Sequence, residues 1–348
     1  DFLDPGWKKF AAAEHRAVRE HVALIDQSSF AKFEIIGSGV VAALQNLCVS
    51  DMDKPVGAII YTQMCNETGG TEADVTFIRL ARDRFYLVTG SGFGVRDSDW
   101  IKRHVPEDGS VYLVEVTSGM AVVNIVGPKS RDVLAAVSES DVSNGALPFL
   151  AARDIFIGAA PVRAARIGYV GERGYELHIP TEFAAHVYDR LWAAGQAHGI
   201  TNVGYRAIES LRLEKGYVYW SGDITPDYSP IEAGLGFRVH LKSKGDFMGR
   251  AVLEDQKTNG VDRKLCTFVT TENLPLTGGE TILLGEDAVS LATSAAFGPS
   301  VGQTIIRGYL HKQHWDIAEF TLEVFGELHR ITQIDGPVYD PQNNALKG

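Results

Sequence analysis

A glycine-terminated strand that runs straight into a helix occurs twice in this chain. In FEIIGSGVVAALQNL, Phe30–Ile36 reads as a strand, Gly37 breaks it, and Val40–Cys48 has helical spacing. In AVVNIVGPKSRDVLAAV, Met120–Val126 reads as a strand, Gly127 ends it, and Pro128 opens a helix at Lys129–Val137. A hairpin and a helix follow each time. The first hairpin is Ala73–Leu80 with Arg84–Thr89 around Ala81-Arg82-Asp83, followed by Val95–His104. The second is Val162–Tyr169 with Tyr175–Ile179 around Gly171-Glu172-Arg173-Gly174. Its helix is expected from an N-cap at Thr181 to His198, ended by Gly199. This order predicts an internal duplication, two related α+β lobes with a ligand cleft between them. Chance recurrence in an α+β chain is the competing reading.

A helix over Glu14–Ile25 precedes the first unit, and another over Arg206–Gly216 follows the second. Tyr217–Ser229 then reads as a long irregular segment of the kind that often carries function. From Lys264 the pattern changes to short strands with glycine turns: Leu265–Thr270, Thr281–Leu284, Ser290–Ala295, Thr304–Tyr309, Phe320–Val324 and Leu328–Ile331. They predict a separate β-barrel or sandwich after a polar linker at Lys257–Arg263. The expected division is 1–256 for the two lobes and 264–348 for the barrel.

The net charge of −11 argues against nucleic acid or an anionic membrane as partner, since either needs a basic patch. Cys48, Cys65 and Cys266 are odd in number and contain no CxxC, which suits a reducing, cytoplasmic compartment and no metal. Asp1-Phe2-Leu3-Asp4-Pro5 lacks the basic and apolar regions of a signal peptide. Without an initiator Met, the chain is either trimmed or part of a longer polypeptide.

Gly90-Ser91-Gly92-Phe93-Gly94 follows a strand, but Val95 stands where a dinucleotide fingerprint needs its last glycine, so a turn is the better reading. NETGGTEAD places Asp74 at the start of a strand after a tight turn. A carboxylate facing a cleft can hold a developing cation or relay a proton, whereas a solvated Asp is the bland reading. Glu67 and Glu72 compete for that role. In GYVGERGYELHIP, Tyr169 and Glu176 fall on the two strands of the hairpin. Glu176 either binds adjacent N–H donors in bidentate fashion or points to solvent opposite Tyr175, Leu177 and Ile179. Arg206, Glu209, Arg212, Glu214 and Lys215 read as a salt-bridged surface helix. The ten histidines show no ligand spacing.

Taken together, NETGGTEAD, GYVGERGYELHIP, GYRAIESLRLEKGY and SGDITPDYSPIEAGLGFRVHLKSKGDFMGRAVLEDQK resemble the folate-binding aminomethyltransferase family, whose archetype is the glycine cleavage T-protein. The likeness is greater to the tetrahydrofolate-binding C-terminal half of dimethylglycine and sarcosine dehydrogenases, with IDQSSFAKFEI and PVYDP included. The resemblance implies two α+β lobes and a C-terminal barrel in a three-lobed ring around folate. It implies a one-carbon transferase acting on a methylated or aminomethyl donor, with Asp74 as catalytic acid and Tyr169 and Glu176 on the pterin. Arg206 and Tyr217 complete the expected folate contacts, although the family's helix arginine aligns with Ile208. No flavin motif occurs here, so either the flavin domain lies on a separate flavoprotein chain or the one-carbon unit comes directly from a methylated donor. A non-catalytic iron–sulfur assembly role is the remaining alternative, and EKGYVYW lacks the cysteine of those relatives.

Overall fold

The computed structural model describes residues 5–348, so the opening Asp1–Asp4 lies outside the described residues. Two open sheets and a closed barrel form the scaffold. The first sheet runs in the order Ile59–Cys65, Thr71–Ala81, Arg84–Thr89, Ala31–Ile36, Tyr112–Glu115. The second runs Thr201–Asn202, Ala23–Asp26, Met120–Val126, Gly174–Pro180, Ala160–Ala165, Ala152–Ile157. Helices Val40–Leu47 and Gly94–His104 cover one face of the first sheet; Ser130–Val137 and Ala184–Gly195 cover the second.

The duplication is visible in the hydrogen bonds. Gly37 N donates to Asp83 O, and Gly127 N donates to Arg173 O. Gly39 N reaches Ser110 O, and Lys129 N reaches His21 O. Both strand-ending glycines are left-handed, with φ of 137° and 113°. A Cβ would lie 2.1 Å from Ser110 O at Gly37 and 2.5 Å from His21 O at Gly127, so a side chain fits at neither.

These pairings also show an exchange. Ala23–Asp26 precedes the first lobe in sequence but pairs with Met120–Val126 in the second. Tyr112–Glu115 precedes the second lobe's strands but pairs with Ala31–Ile36 in the first. Each repeat therefore lends its leading strand to the other. The two sheets meet through Ile59, Ile78, Tyr86, Val88 and Ala165.

Several expected boundaries move. The helix read over Glu14–Ile25 ends at Glu20, because residues 23–26 are taken into the sheet. The strand read as Val162–Tyr169 stops at Ala165; next, Arg166 turns inward to bond the Leu147 and Lys347 carbonyls. Ala152–Ile157 is an additional strand paired with it. Thr181 caps nothing: its hydroxyl donates to Ser118 O, and a short 3₁₀ turn leads into the helix. The expected linker begins inside helix Arg250–Asn259.

The helix Tyr205–Glu214 corrects a larger expectation. Ser210, Arg212 and Glu214 are buried, so this is an internal strut and not a surface helix. Arg212 keeps the expected pairing with Glu209 one turn back, and each inward charge also meets a partner outside the helix: Arg212 pairs with Asp223 at 2.6 Å, and Glu214 with Arg19 at 2.8 Å. Periodicity cannot anticipate such partners.

Among the described residues the C-terminal strands close into a six-stranded barrel, resolving the barrel-or-sandwich ambiguity. Phe268, Ile282, Ile306, Leu310, Leu322 and Ile331 fill it. The barrel grips the 217–235 segment: Tyr309 Oη donates to Asp223 O, Thr293 Oγ1 donates to Asp223 Oδ1, and the Tyr228 and Tyr309 rings stack. No described helix is long and apolar enough to cross a membrane.

Candidate active site

The NETGGTEAD turn is built by Asn66. Its side-chain oxygen accepts from Thr68 N, Thr68 Oγ1 and Gly70 N. Gly70 sits against Pro226, whose carbonyl oxygen would be 1.8 Å from an added Cβ. Thr71 N and Oγ1 both donate to Tyr228 O. The turn is thereby fastened to the irregular 217–235 segment, and Asp74 follows one residue past Ala73 on the opposite face of the strand.

Ala73, Val75 and Phe77 enter the core of the first lobe, so Asp74, Thr76 and Ile78 face the second. Gln63, the cross-strand neighbour of Asp74, donates Nε2 to Asp74 Oδ1 at 2.7 Å. Burial pushes the Asp74 carboxyl up to about 6; the Gln63 amide and the Tyr61 hydroxyl oppose that rise, Asp97 adds to it and Arg238 opposes it. Burial likewise raises Asp97 to about 6, against a hydrogen bond from Thr89 Oγ1. Glu72 is paired with Arg96, and Glu67 is exposed at the turn.

Tyr169 lies in the loop after Ala165, not on a strand. Its ring stacks on Tyr217 at 5.9 Å, and its hydroxyl donates to Val218 O at 2.6 Å. It packs against an apolar patch that includes Ile25, Val126 and Ile208. The field of Asp74 reaches both Tyr61 and Tyr169. Glu176 sits on the strand face opposite Tyr175, Leu177 and Ile179, as its period requires, but this face turns toward the other lobe. Its neighbour His178 is fully buried and contacts Tyr86 of the first sheet, and the Glu176 side chain is 16% exposed. Its carboxylate lies 3.6 Å from His178 Nε2.

Asp74, Tyr169, Glu176 and Tyr217 are thus brought to the inward faces of the two lobes. Arg206 is not. It is exposed, with its guanidinium over the Trp7 ring, while buried Ile208 packs near Tyr169. Two groups escaped the sequence reading. Arg238 lies over the Tyr61 ring at 5.3 Å, and its buried Nε has no hydrogen-bond partner. Gln63 Oε1 is buried without a donor. Gln63 lies outside every motif quoted above, and Arg238, although inside the SGDITPDYSPIEAGLGFRVHL stretch, has no spacing or periodicity that marks it. Two surface cavities of about 310 and 290 Å³ lie elsewhere, around Phe247–Arg250 and around Tyr188.

Known proteins share this fold. Residues 1–243 match the GCVT N-terminal domain, and 263–340 match the glycine cleavage T-protein C-terminal barrel domain. Human mitochondrial sarcosine dehydrogenase is 35% identical over 95% of this chain, which covers 39% of that protein. The chain therefore spans about two fifths of that relative's length. The aminomethyltransferase of Synechocystis sp. is 31% identical over 94% of this chain and 89% of its own. The crystal structure of aminomethyltransferase T of the Bartonella henselae glycine cleavage system superposes with a TM-score of 0.85 at 25% identity, covering 95% and 90% of the two chains. The chain belongs to the glycine cleavage T-protein family, carrying both its GCVT N-terminal domain and its C-terminal barrel.

Proposed function

We propose that this chain is a tetrahydrofolate-dependent one-carbon transferase, taking a one-carbon unit from a methylated or aminomethyl donor. Asp74 carries the reading: a desolvated carboxyl near pKa 6, fixed by Gln63 and within electrostatic reach of Tyr169. The surroundings fit a pterin. Glu176 has no close donor, and Gln63 Oε1 and Asn124 Oδ1 are buried acceptors without one, so the inner surface calls for a ligand rich in N–H groups.

When bound, tetrahydrofolate supplies the amine that takes up the one-carbon unit. Glu176 holds the aminopyrimidine edge as a bidentate acceptor. Tyr169, backed by Tyr217, is a flat wall for the ring. Asp74 orients the amine and stabilises positive charge there. At pH 7 it is mostly ionised, yet it exchanges its proton within the working range. Arg206 has no part in this reading. Residues 1–256 form the folate-binding region, and the barrel of 264–348 braces its loop. The three buried free cysteines suit a reducing, cytoplasmic or matrix-like compartment.

A second reading, the folate portion of a flavin-dependent amine dehydrogenase, draws support from the two-fifths coverage of sarcosine dehydrogenase. A flavoprotein would then deliver the one-carbon unit. The iron–sulfur assembly alternative has no supporting cysteine in EKGYVYW. Calorimetric titration with tetrahydrofolate, then a screen of methylated amines, thioethers and aryl methyl ethers, separates these. Binding with turnover supports an autonomous transferase. Binding without turnover favours the flavin-coupled reading. Absence of binding overturns both.

A further inference from the structure

Asn124 is 2% exposed, and its Oδ1 has no hydrogen-bond donor. Its Nδ2 donates to Gln27 Oε1 at 2.7 Å, which fixes the amide with its oxygen turned away from Gln27. Asn124 is the direct cross-strand partner of Glu176. Opposed residues in an antiparallel pair project to the same face, with Cβ atoms about 4.5–5.5 Å apart. Val123 and Ile125 point the other way, into the second-lobe core. Ile25 and Val126, beside Asn124 in the same sheet, belong to the patch on which Tyr169 packs. A buried acceptor left unpaired is costly, so the free Oδ1 favours a donor from outside the protein.

The chemistry of the ligand edge supplies one. An aminopyrimidine of the pterin type offers its ring N–H and two hydrogens on the exocyclic amine. A bidentate carboxylate takes the ring N–H and one amine hydrogen. The second amine hydrogen needs another acceptor in the ring plane. We propose that Asn124 Oδ1, oriented by Gln27, accepts this second hydrogen and completes a three-point reading of the 2-amino edge with Glu176. This rests on the folate reading above and deepens it. Asn124 is a specificity residue that excludes pteridines lacking the 2-amino group.

The test compares two ligands on the intact chain by calorimetry: tetrahydrofolate, and its 2-desamino-2-methyl analogue, which keeps the ring N–H but has no exocyclic one. Asn124→Ala should weaken tetrahydrofolate about tenfold, the loss expected for one buried hydrogen bond. The analogue's affinity should stay within about twofold of its value on the unaltered chain. Gln27→Leu, which frees the amide to rotate, should reproduce part of the selective loss and serves if Asn124→Ala fails to fold. Equal weakening of both ligands, or none for either, overturns the assignment. If the unaltered chain does not bind tetrahydrofolate, the folate reading falls and takes this proposal with it. If it binds and the variants show no selectivity, only the Asn124 role falls.

Discussion

The two lobes share a backbone plan and divide the work between them. Gly37 and Gly127 occupy matching turns, and Ile36 pairs with Tyr112 as Val126 pairs with Ala23. Continuing along the matched strands, the pair Glu34–Tyr86 in the first lobe corresponds to Asn124–Glu176 in the second. The first lobe uses Tyr86 to pack across the interface onto His178. The second puts a carboxylate and an amide at the equivalent place. Conversely, the desolvated acid Asp74 lies on a first-lobe strand whose second-lobe counterpart is Ala160–Ala165, with no acid in it. The lesson is that a duplicated scaffold fixes where side chains project, while individual substitutions decide whether a face does chemistry or binding.

The comparison breaks first at Asp74. On the proposed function, Asp74→Asn should lower turnover by about 10²–10³-fold, the cost of losing one preorganised charged group, while tetrahydrofolate affinity holds within a few-fold. Single-turnover kinetics beside calorimetry would check this; unchanged turnover would sink the role. Next, Gly37→Ala and Gly127→Ala should each destabilise by about 2–4 kcal/mol in urea unfolding, because both force a side chain onto a backbone carbonyl at a left-handed residue. A marked inequality between the two would break the equivalence of the lobes.

Glu176→Gln should act on binding. Loss of a charge-assisted pair predicts about 10–100-fold weaker tetrahydrofolate with turnover at saturation largely kept. A fall in saturated turnover with intact affinity would reverse the division of labour.

A smaller effect concerns pH. The folded-state pKa of Asp74, about 6, lies above its ordinary value of 3.8, so between these the native state holds more protons than the unfolded one. Stability therefore falls as pH rises through about 4 to 6. Asp74→Asn should be more stable than the unaltered chain at pH 7, by about 1–2 kcal/mol once residual solvent access is allowed for, and equal to it below about pH 4. Melting curves across that range decide it. Asp97 titrates in the same window and couples to Asp74, so the apparent midpoint belongs to the pair. Smallest of all, Arg238→Gln removes a cation that opposes the Asp74 rise and should move the midpoint of the turnover–pH curve upward by roughly half a unit. A downward shift would contradict the placement of Arg238.

Much of this was legible in the linear chain. Alternation and helical spacing are local properties, so the glycine-ended strands, most helices and all six barrel strands could be read with only their ends misplaced. The motif resemblance pointed to Asp74, Tyr169 and Glu176, and the fold sets all three on inward faces. Periodicity correctly put Glu176 opposite Tyr175 and Leu177; it could not say that the opposite side was another lobe instead of water. Arg206 shows the reverse. Its motif context suggested a folate contact, yet its position on the helix directs it outward to Trp7.

What the sequence by itself determined are the elements, their repeat and the identity of the family, because these depend on residue spacing and order along the chain. Only the tertiary structure decided the exchange of leading strands, the burial of Arg212 and Glu214, and the meeting of Asp74 with Tyr61, Gln63 and Tyr169. Those depend on contacts between residues that lie from 11 to 195 positions apart. The free energy that fixes them, desolvation set against partners from remote segments, has no signature in any local window.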